Sequence, residues 1–194
     1  MKTLGCVLVL VLCVSAAQYP PQIRHFRRVD EHIYSGHQPN REGFLELKRM
    51  GIRTVLDLRG GWIHRPRERR EVEGDGMHYI SIRLSGIFAP KPRQVQAILA
   101  VLEDPARWPI FVHCRRGDDR VGLAIACYRM DHDHWSNREA YGEACHDGMS
   151  HFEIFMRRFI RHYHGPRQNS FAGRTPDTIG LNRWTSSSSI STAH

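Results

Sequence analysis

At 194 residues the chain has room for one ordinary domain with trimmings. Its 41% hydrophobic and 25% charged residues are close to soluble globular averages, so composition excludes neither an enzyme nor a binding module. The formal net charge of +8 favours anionic substrates or surfaces. There is no aromatic-interleaved basic stripe or zinc-finger spacing, so nucleic acid is set aside as the partner.

The first segment, MKTLGCVLVLVLCVSAA at 1–17, carries one lysine, an unbroken apolar run from Val7 to Val14, and then small residues. That is the layout of a cleavable export signal, cut near Ala17, which predicts a secreted or periplasmic product. An uncleaved membrane anchor is the alternative. The run falls short of the roughly 20 residues needed to cross a bilayer, and no later segment is longer, so no transmembrane span is expected in the mature chain. Cys6 and Cys13 leave with the signal; Cys114, Cys127 and Cys145 remain, an odd number that leaves at least one free thiol even in an oxidising compartment.

Residues 18–30 read as an irregular basic lead-in. HIYSGHQPN then gives a short strand and a turn marked by Gly36, Pro39 and Asn40. Asn40 is placed to cap a helix whose apolar residues Phe44, Leu45, Leu47 and Met50 recur at helical spacing, and Gly51 stands where that helix should stop. TVLDL reads as a buried strand, Arg65 to Asp75 as a charge-dense solvated helix, HYISI at 78–82 as a third strand, and Pro92 to Glu103 as an amphipathic helix. PIFVHC is a fully buried strand. An apolar helix follows from Val121 to Met130, a second is capped by Ser136 and reaches Cys145, and a third runs from about His151 to His162. From Gly165 the chain, ending TSSSSISTAH, lacks periodic apolar residues and reads as a flexible tail. Strands alternating with helices predict an α/β fold, a three-layer α/β/α sandwich on a mainly parallel sheet, occupying residues 31–164. Sites in such folds form at the carboxyl ends of the strands.

One segment carries the chemistry. VHCRRGDDRVG, residues 112–122, places a cysteine, five intervening residues and an arginine between a buried strand and an apolar helix. A tight loop entering a helix turns its backbone N–H groups inward as an anion cradle, and Gly117 permits the bend and close approach that a phosphate needs. A helix N-terminus beside cations favours the thiolate, making Cys114 a nucleophile. Arg120 brings a planar fork that matches two phosphate oxygens.

HCRRGDDRVG resembles the signature loop of the cysteine-based protein tyrosine phosphatases, dual-specificity-like members above all. The preceding stretch, IYSGHQPNREGFLELKRMGIRTVLDLR, is similar to the amino-terminal half of bacterial and plant or fungal members, so the resemblance spans about residues 26–163. It implies a phosphatase-like fold and hydrolysis of phosphate monoesters through a phosphocysteine intermediate, with no metal or other cofactor. A rhodanese-type sulfurtransferase is the rival, but its loop usually has four residues between Cys and Arg, and five suit a tetrahedral phosphate.

Two departures from the family pattern bear on mechanism. Val121 stands where the family usually has Ser or Thr to assist the leaving thiolate, so turnover is expected to be slow. The stretch SGIFAPKPRQ, where the general acid usually lies, contains no carboxylate. Asp119 is the first candidate for that acid, Asp118 the second and Asp57 the third; either loop aspartate reads equally as a counterion to Arg115 and Arg116. His113 is expected to support the loop. Arg115, Arg116, Gly117, Asp118 and Val121 are the expected substrate-binding residues, the two arginines reading as well as general electrostatics. Asp131, His132, Asp133 and His134 match no standard metal spacing and read as solvated polarity. Cys127 reads as a small buried hydrophobe, with pairing to Cys145 as the alternative.

The substrate expected is a phosphorylated protein, on tyrosine or on serine and threonine, or a small polyanion such as an inositol phosphate. A binding-only pseudophosphatase is the reading from another class, motivated by Val121 and the missing upstream aspartate.

Overall fold

The computed structural model describes residues 20–59 and 65–165. The expected export signal and all of the expected tail beyond Gly165 lie outside these residues. Five strands, β1 (Arg27–Arg28), β2 (Ile33–Gly36), β3 (Thr54–Asp57), β4 (His78–Ser81) and β5 (Ile110–His113), form one sheet in the order β1-β2-β5-β3-β4. β1 pairs antiparallel to β2, and every other pairing is parallel. The expected parallel sandwich is therefore present, with an antiparallel edge. That edge comes from the segment read as an irregular lead-in: Arg27 and Arg28 pair with Ser35 and Tyr34, and Ile23 is buried in the core.

The helices are α1 (Arg41–Arg49), α2 (Arg65–Gly74), α3 (Pro92–Leu102), α4 (Asp119–Asp131), α5 (Asn137–His146) and α6 (Ile154–Arg161). Local chemistry sets several of their ends. The Asn40 side chain accepts from the backbone N–H of Gly43 at 2.8 Å, and Gly51 leaves α1 with a φ of 82° that a side chain would disfavour. Ser136 and Glu139 close a reciprocal capping box on α5. Among the described residues no helix is long and apolar enough to cross a membrane.

Strand alternation divides the core in two. Val55 and Phe111 point to one face, where Phe44 and Leu47 of α1 and Val72 of α2 pack. Leu56, Ile110 and Val112 point to the other, in a larger cluster that takes in α3, α4, α5 and α6. The helix read as solvated, α2, is thus anchored. Val72 and Glu68, one turn apart on the same stripe, are both buried. The polar run at 131–134, where α4 ends, departs from expectation in the same way, since Asp131 is buried and accepts from the Tyr163 hydroxyl at 3.0 Å, while Asp133 pairs with Arg129.

Removing the Asn40 cap tests how far local chemistry sustains α1. Asn40→Ala is expected to lower unfolding stability by about 1 kcal/mol in a urea titration, with the fold unchanged.

Candidate functional site

The site is assembled at the carboxyl edge of the sheet, where Gly36, His113, Asp57 and Ser81 stand in register across four parallel strands. β5 ends at His113, the chain turns through Cys114 to Asp118, and α4 begins at Asp119. Cys114 is buried, and its Sγ accepts from the backbone N–H of Gly117 at 3.2 Å, so one loop amide already points at the sulfur. Gly117 has φ 82°, and a Cβ there would lie 2.5 Å from the carbonyl carbon of Gly36 and 2.6 Å from the nitrogen of His37. The loop is therefore seated backbone against backbone on the end of β2, which only glycine allows.

Arg27 holds the loop from outside, donating to the carbonyls of Gly117 at 3.1 Å and Asp147 at 2.9 Å. Arg120, half-buried, is the second residue of α4, while Arg115 and Arg116 are exposed on the rim.

The expected acids are distributed differently. Asp119 is buried; its Oδ1 accepts from the backbone N–H of Ser150 at 2.7 Å, and Oδ2 lies 3.5 Å from Arg116. Asp118 turns outward to His25, 2.7 Å away, and to Arg27, 3.7 Å away, and so serves the lead-in. Val121, expected at the substrate, is buried in the larger core cluster. Cys127 is fully buried and burial pushes its thiol well up; Cys127 and Cys145 are both free thiols.

Asp57 belongs to a charge network that the sequence reading did not anticipate. Alternation along β3 and β5 turns Asp57 and His113 toward α2. There Arg59 donates to Asp57 Oδ1 at 2.8 Å and to Glu68 Oε2 at 2.6 Å, and Tyr79 donates to Asp57 Oδ2 at 2.7 Å. His113 places Nε2 3.0 Å from Glu68 Oε1 and Nδ1 3.2 Å from the carbonyl of Cys114. His113 therefore stands between the Cys114 carbonyl and Glu68. Burial alone would raise the Asp57 carboxyl, but the Arg59 hydrogen bond, the neighbouring His113 and the Tyr79 hydroxyl outweigh it and hold it below its ordinary 3.8. A carboxylate held ionised in this way is unsuited to donate a proton, which removes Asp57 from the candidate acids. Asp57, Glu68 and His113 offer ligand atoms within 4.8 Å of one another, but the guanidinium that donates to both carboxylates already supplies their countercharge.

Glu153 is a second carboxyl the sequence reading missed. It stands immediately before α6, in the loop that Ser150 ties to Asp119, and its side chain makes no capping hydrogen bond. Burial and then the charge of Asp119 raise its carboxyl above the ordinary 4.5, while Arg116 and Arg120 pull it down. Only the folded packing of α6 against α4 brings it there, so no local signal marks it.

A strand-end thiol under a backbone cradle, with an arginine at the start of the following helix, is an arrangement for attack on a phosphate. A family model described as DSP-PTPase phosphatase fused to NAD+ kinase matches residues 23–161. The chain belongs to this family. Its fold is that of the dual-specificity phosphatases, and the rhodanese reading falls away. Inositol diphosphatase DSP3 of Arabidopsis thaliana is 29% identical over 117 residues, 57% of this chain and 55% of that protein. The chain thus spans about half the length of that curated relative. Among solved structures, the catalytic core of the PP-IP phosphatase SIW14 from S. cerevisiae matches with a TM-score of 0.67 at 22% identity, covering 77% of this chain and 91% of that one. TpbA of P. aeruginosa matches with a TM-score of 0.66 at 21% identity, over 79% and 93% respectively. At these identities the two structures share the dual-specificity phosphatase fold with this chain.

The buried network makes a prediction with a definite sign. Because the Asp57 carboxyl is lower in the folded than in the unfolded state, its stabilisation is complete above the unfolded value and is lost as pH falls through the folded one. Asp57→Asn should therefore destabilise the fold strongly at about pH 7 and less at about pH 3. Urea unfolding at both values measures it; an equal loss at each would contradict the ionised network.

Proposed function

We propose that this chain hydrolyses phosphate monoesters on proteins, phosphotyrosine and phosphoserine or phosphothreonine, through a phosphocysteine intermediate. The observation that carries the reading is the loop amide aimed at the Cys114 sulfur, with Arg120 at the start of the helix that follows.

In the first step the Cys114 thiolate attacks phosphorus; the S–P bond forms as the ester P–O bond breaks. Loop amides and the Arg120 fork take up the charge on the three equatorial oxygens. Asp119 delivers a proton to the leaving oxygen, and Glu153, in the loop hydrogen-bonded to Asp119, is the second acid in reach of that role. In the second step water gives its oxygen to phosphorus and a proton to the carboxylate, and the S–P bond breaks to return the thiolate. Val121 offers no hydroxyl to that departing sulfur, so the second step is the slow one.

A second reading has its own support. The exposed Arg115 and Arg116 extend positive charge beyond a single phosphate, as an inositol phosphate or phosphoinositide would need, and relatives carry the names inositol diphosphatase and PP-IP phosphatase. TpbA, by contrast, has been crystallised with phosphotyrosine.

The test is release of p-nitrophenol from p-nitrophenyl phosphate, under reducing conditions with chelator, by the wild type and by Cys114→Ser, Asp119→Asn and Glu153→Gln. Cys114→Ser should abolish turnover, and Asp119→Asn should lower kcat by about 10²-fold or more, with Glu153→Gln the smaller loss. Turnover surviving in Cys114→Ser contradicts the mechanism. Tight binding of a phosphate analogue by an inactive wild type indicates a pseudophosphatase. Comparison of kcat/KM for a phosphotyrosine peptide and an inositol diphosphate then assigns the substrate class.

A further inference from the structure

Beside the phosphate loop the protein exposes an apolar patch that catalysis does not use. Ile87 and Phe88 follow β4, and Phe152, Ile154 and Phe155 lie around the start of α6; all are exposed, Phe152 by 92%. The rings of Phe88 and Phe155 meet with centroids 6.1 Å apart, joining the two segments into one surface. Each segment is tethered at the catalytic edge. Leu84 donates to the carbonyl of Leu58 just past β3, and Ser150 donates to Asp119 at the start of α4.

One turn along α6 lies a cavity of about 500 Å³ lined by His151, Ile154, Arg157, Arg158, Arg161 and His162. Arg157 and Arg161 both donate to the single hydroxyl of Tyr141, at 2.7 Å each. Among the described residues no carboxylate pairs with Arg157, Arg158 or Arg161, whereas Arg129 on α4 is matched by Asp133 and Glu143. Both guanidiniums also lie over the Tyr141 ring, and Arg157 contacts His151 Nδ1 at 2.8 Å, but none of these neighbours is a carboxylate, so the cavity keeps a net positive charge and has room for an anion of phosphate size.

We propose that this face docks on an anionic phospholipid bilayer. A lipid phosphate occupies the Arg157, Arg158 and Arg161 cavity, and Ile87, Phe88, Phe152, Ile154 and Phe155 enter the boundary between headgroups and acyl chains. Exposed apolar patches with polar rims mark either protein or membrane contacts. Here the side chains protrude rather than line a groove, and arginines without a carboxylate partner among the described residues flank them. That combination of projecting aromatics and basic residues is complementary to a deformable anionic surface. Docking in this way places the phosphate loop against the bilayer, so that phosphate esters held at a membrane are the substrates presented to it. The binding does not depend on the catalytic reading.

The test is hydrogen–deuterium exchange of the full chain with phosphatidylcholine vesicles, with phosphatidylcholine and phosphatidylglycerol vesicles, and with soluble glycerol phosphate. Slower exchange in peptides covering 85–89 and 151–162, with the anionic vesicles alone, is the expected result. Phe152→Ser combined with Phe155→Ser, or Arg158→Glu, should remove that protection, and Cys114→Ser should keep it. Vesicle-bound protein with these peptides unprotected, as anchoring through the Val7 to Val14 run would produce, overturns the proposal. Equal protection by glycerol phosphate overturns it too, and would reveal a soluble-anion site instead.

Discussion

Gly117 has no room for a side chain, because its α-carbon rests against the backbone where β2 ends. The adjacent amide reaches the Cys114 sulfur from this seat, and the adjacent carbonyl takes the Arg27 hydrogen bond. The positive φ at Gly117 is the turn that brings the chain from β5 into α4 with the Gly117 amide on the Cys114 sulfur. Sheet register matters for the same reason. Gly36 lies opposite His113, so the floor of the loop and its entry point are fixed by one pair of strands.

Behind that seat the loop is held electrostatically. His113 is set between the Cys114 carbonyl and Glu68, and Glu68 shares Arg59 with Asp57. Two carboxylates, one guanidinium and one imidazole are buried together, and buried charges persist only when such partners answer them. The network therefore orders α2 against the sheet as well as supporting the catalytic loop. On the opposite side of the loop the backbone N–H of Ser150 donates to Asp119, so the candidate acid is linked to the segment that leads into the apolar face at the start of α6.

Where information was local, the sequence was legible. The Asn40 cap, the Gly51 stop, the Ser136 capping box and the strand ending at His113 each follow from a few neighbouring residues, and the structure contains all of them. The Cys114 to Arg120 spacing was likewise sufficient to anticipate the loop at the end of the central strand. Long-range pairings were not legible. Glu68 lies among charged residues in α2, and its burial shows only in being one turn from Val72, the lone aliphatic side chain of that helix. Asp57 was read as a strand-end acid because nothing local reveals that Arg59 folds back on it. Glu153 comes within the electrostatic reach of Asp119 only after α4, α5 and α6 have packed, and β1 exists only because β2 offers an open edge to a basic segment without a strand pattern.

The central claim is covalent catalysis at Cys114 with a slow second step. The most direct measurement is a rapid denaturant quench of the enzyme during turnover of a substrate carrying radiolabelled phosphate, followed by peptide mapping. The account predicts label accumulating on the peptide that contains Cys114, absent in Cys114→Ser, and decaying at the rate of steady-state turnover. Hydrolysis with no label on the chain, or label retained in Cys114→Ser, would contradict it.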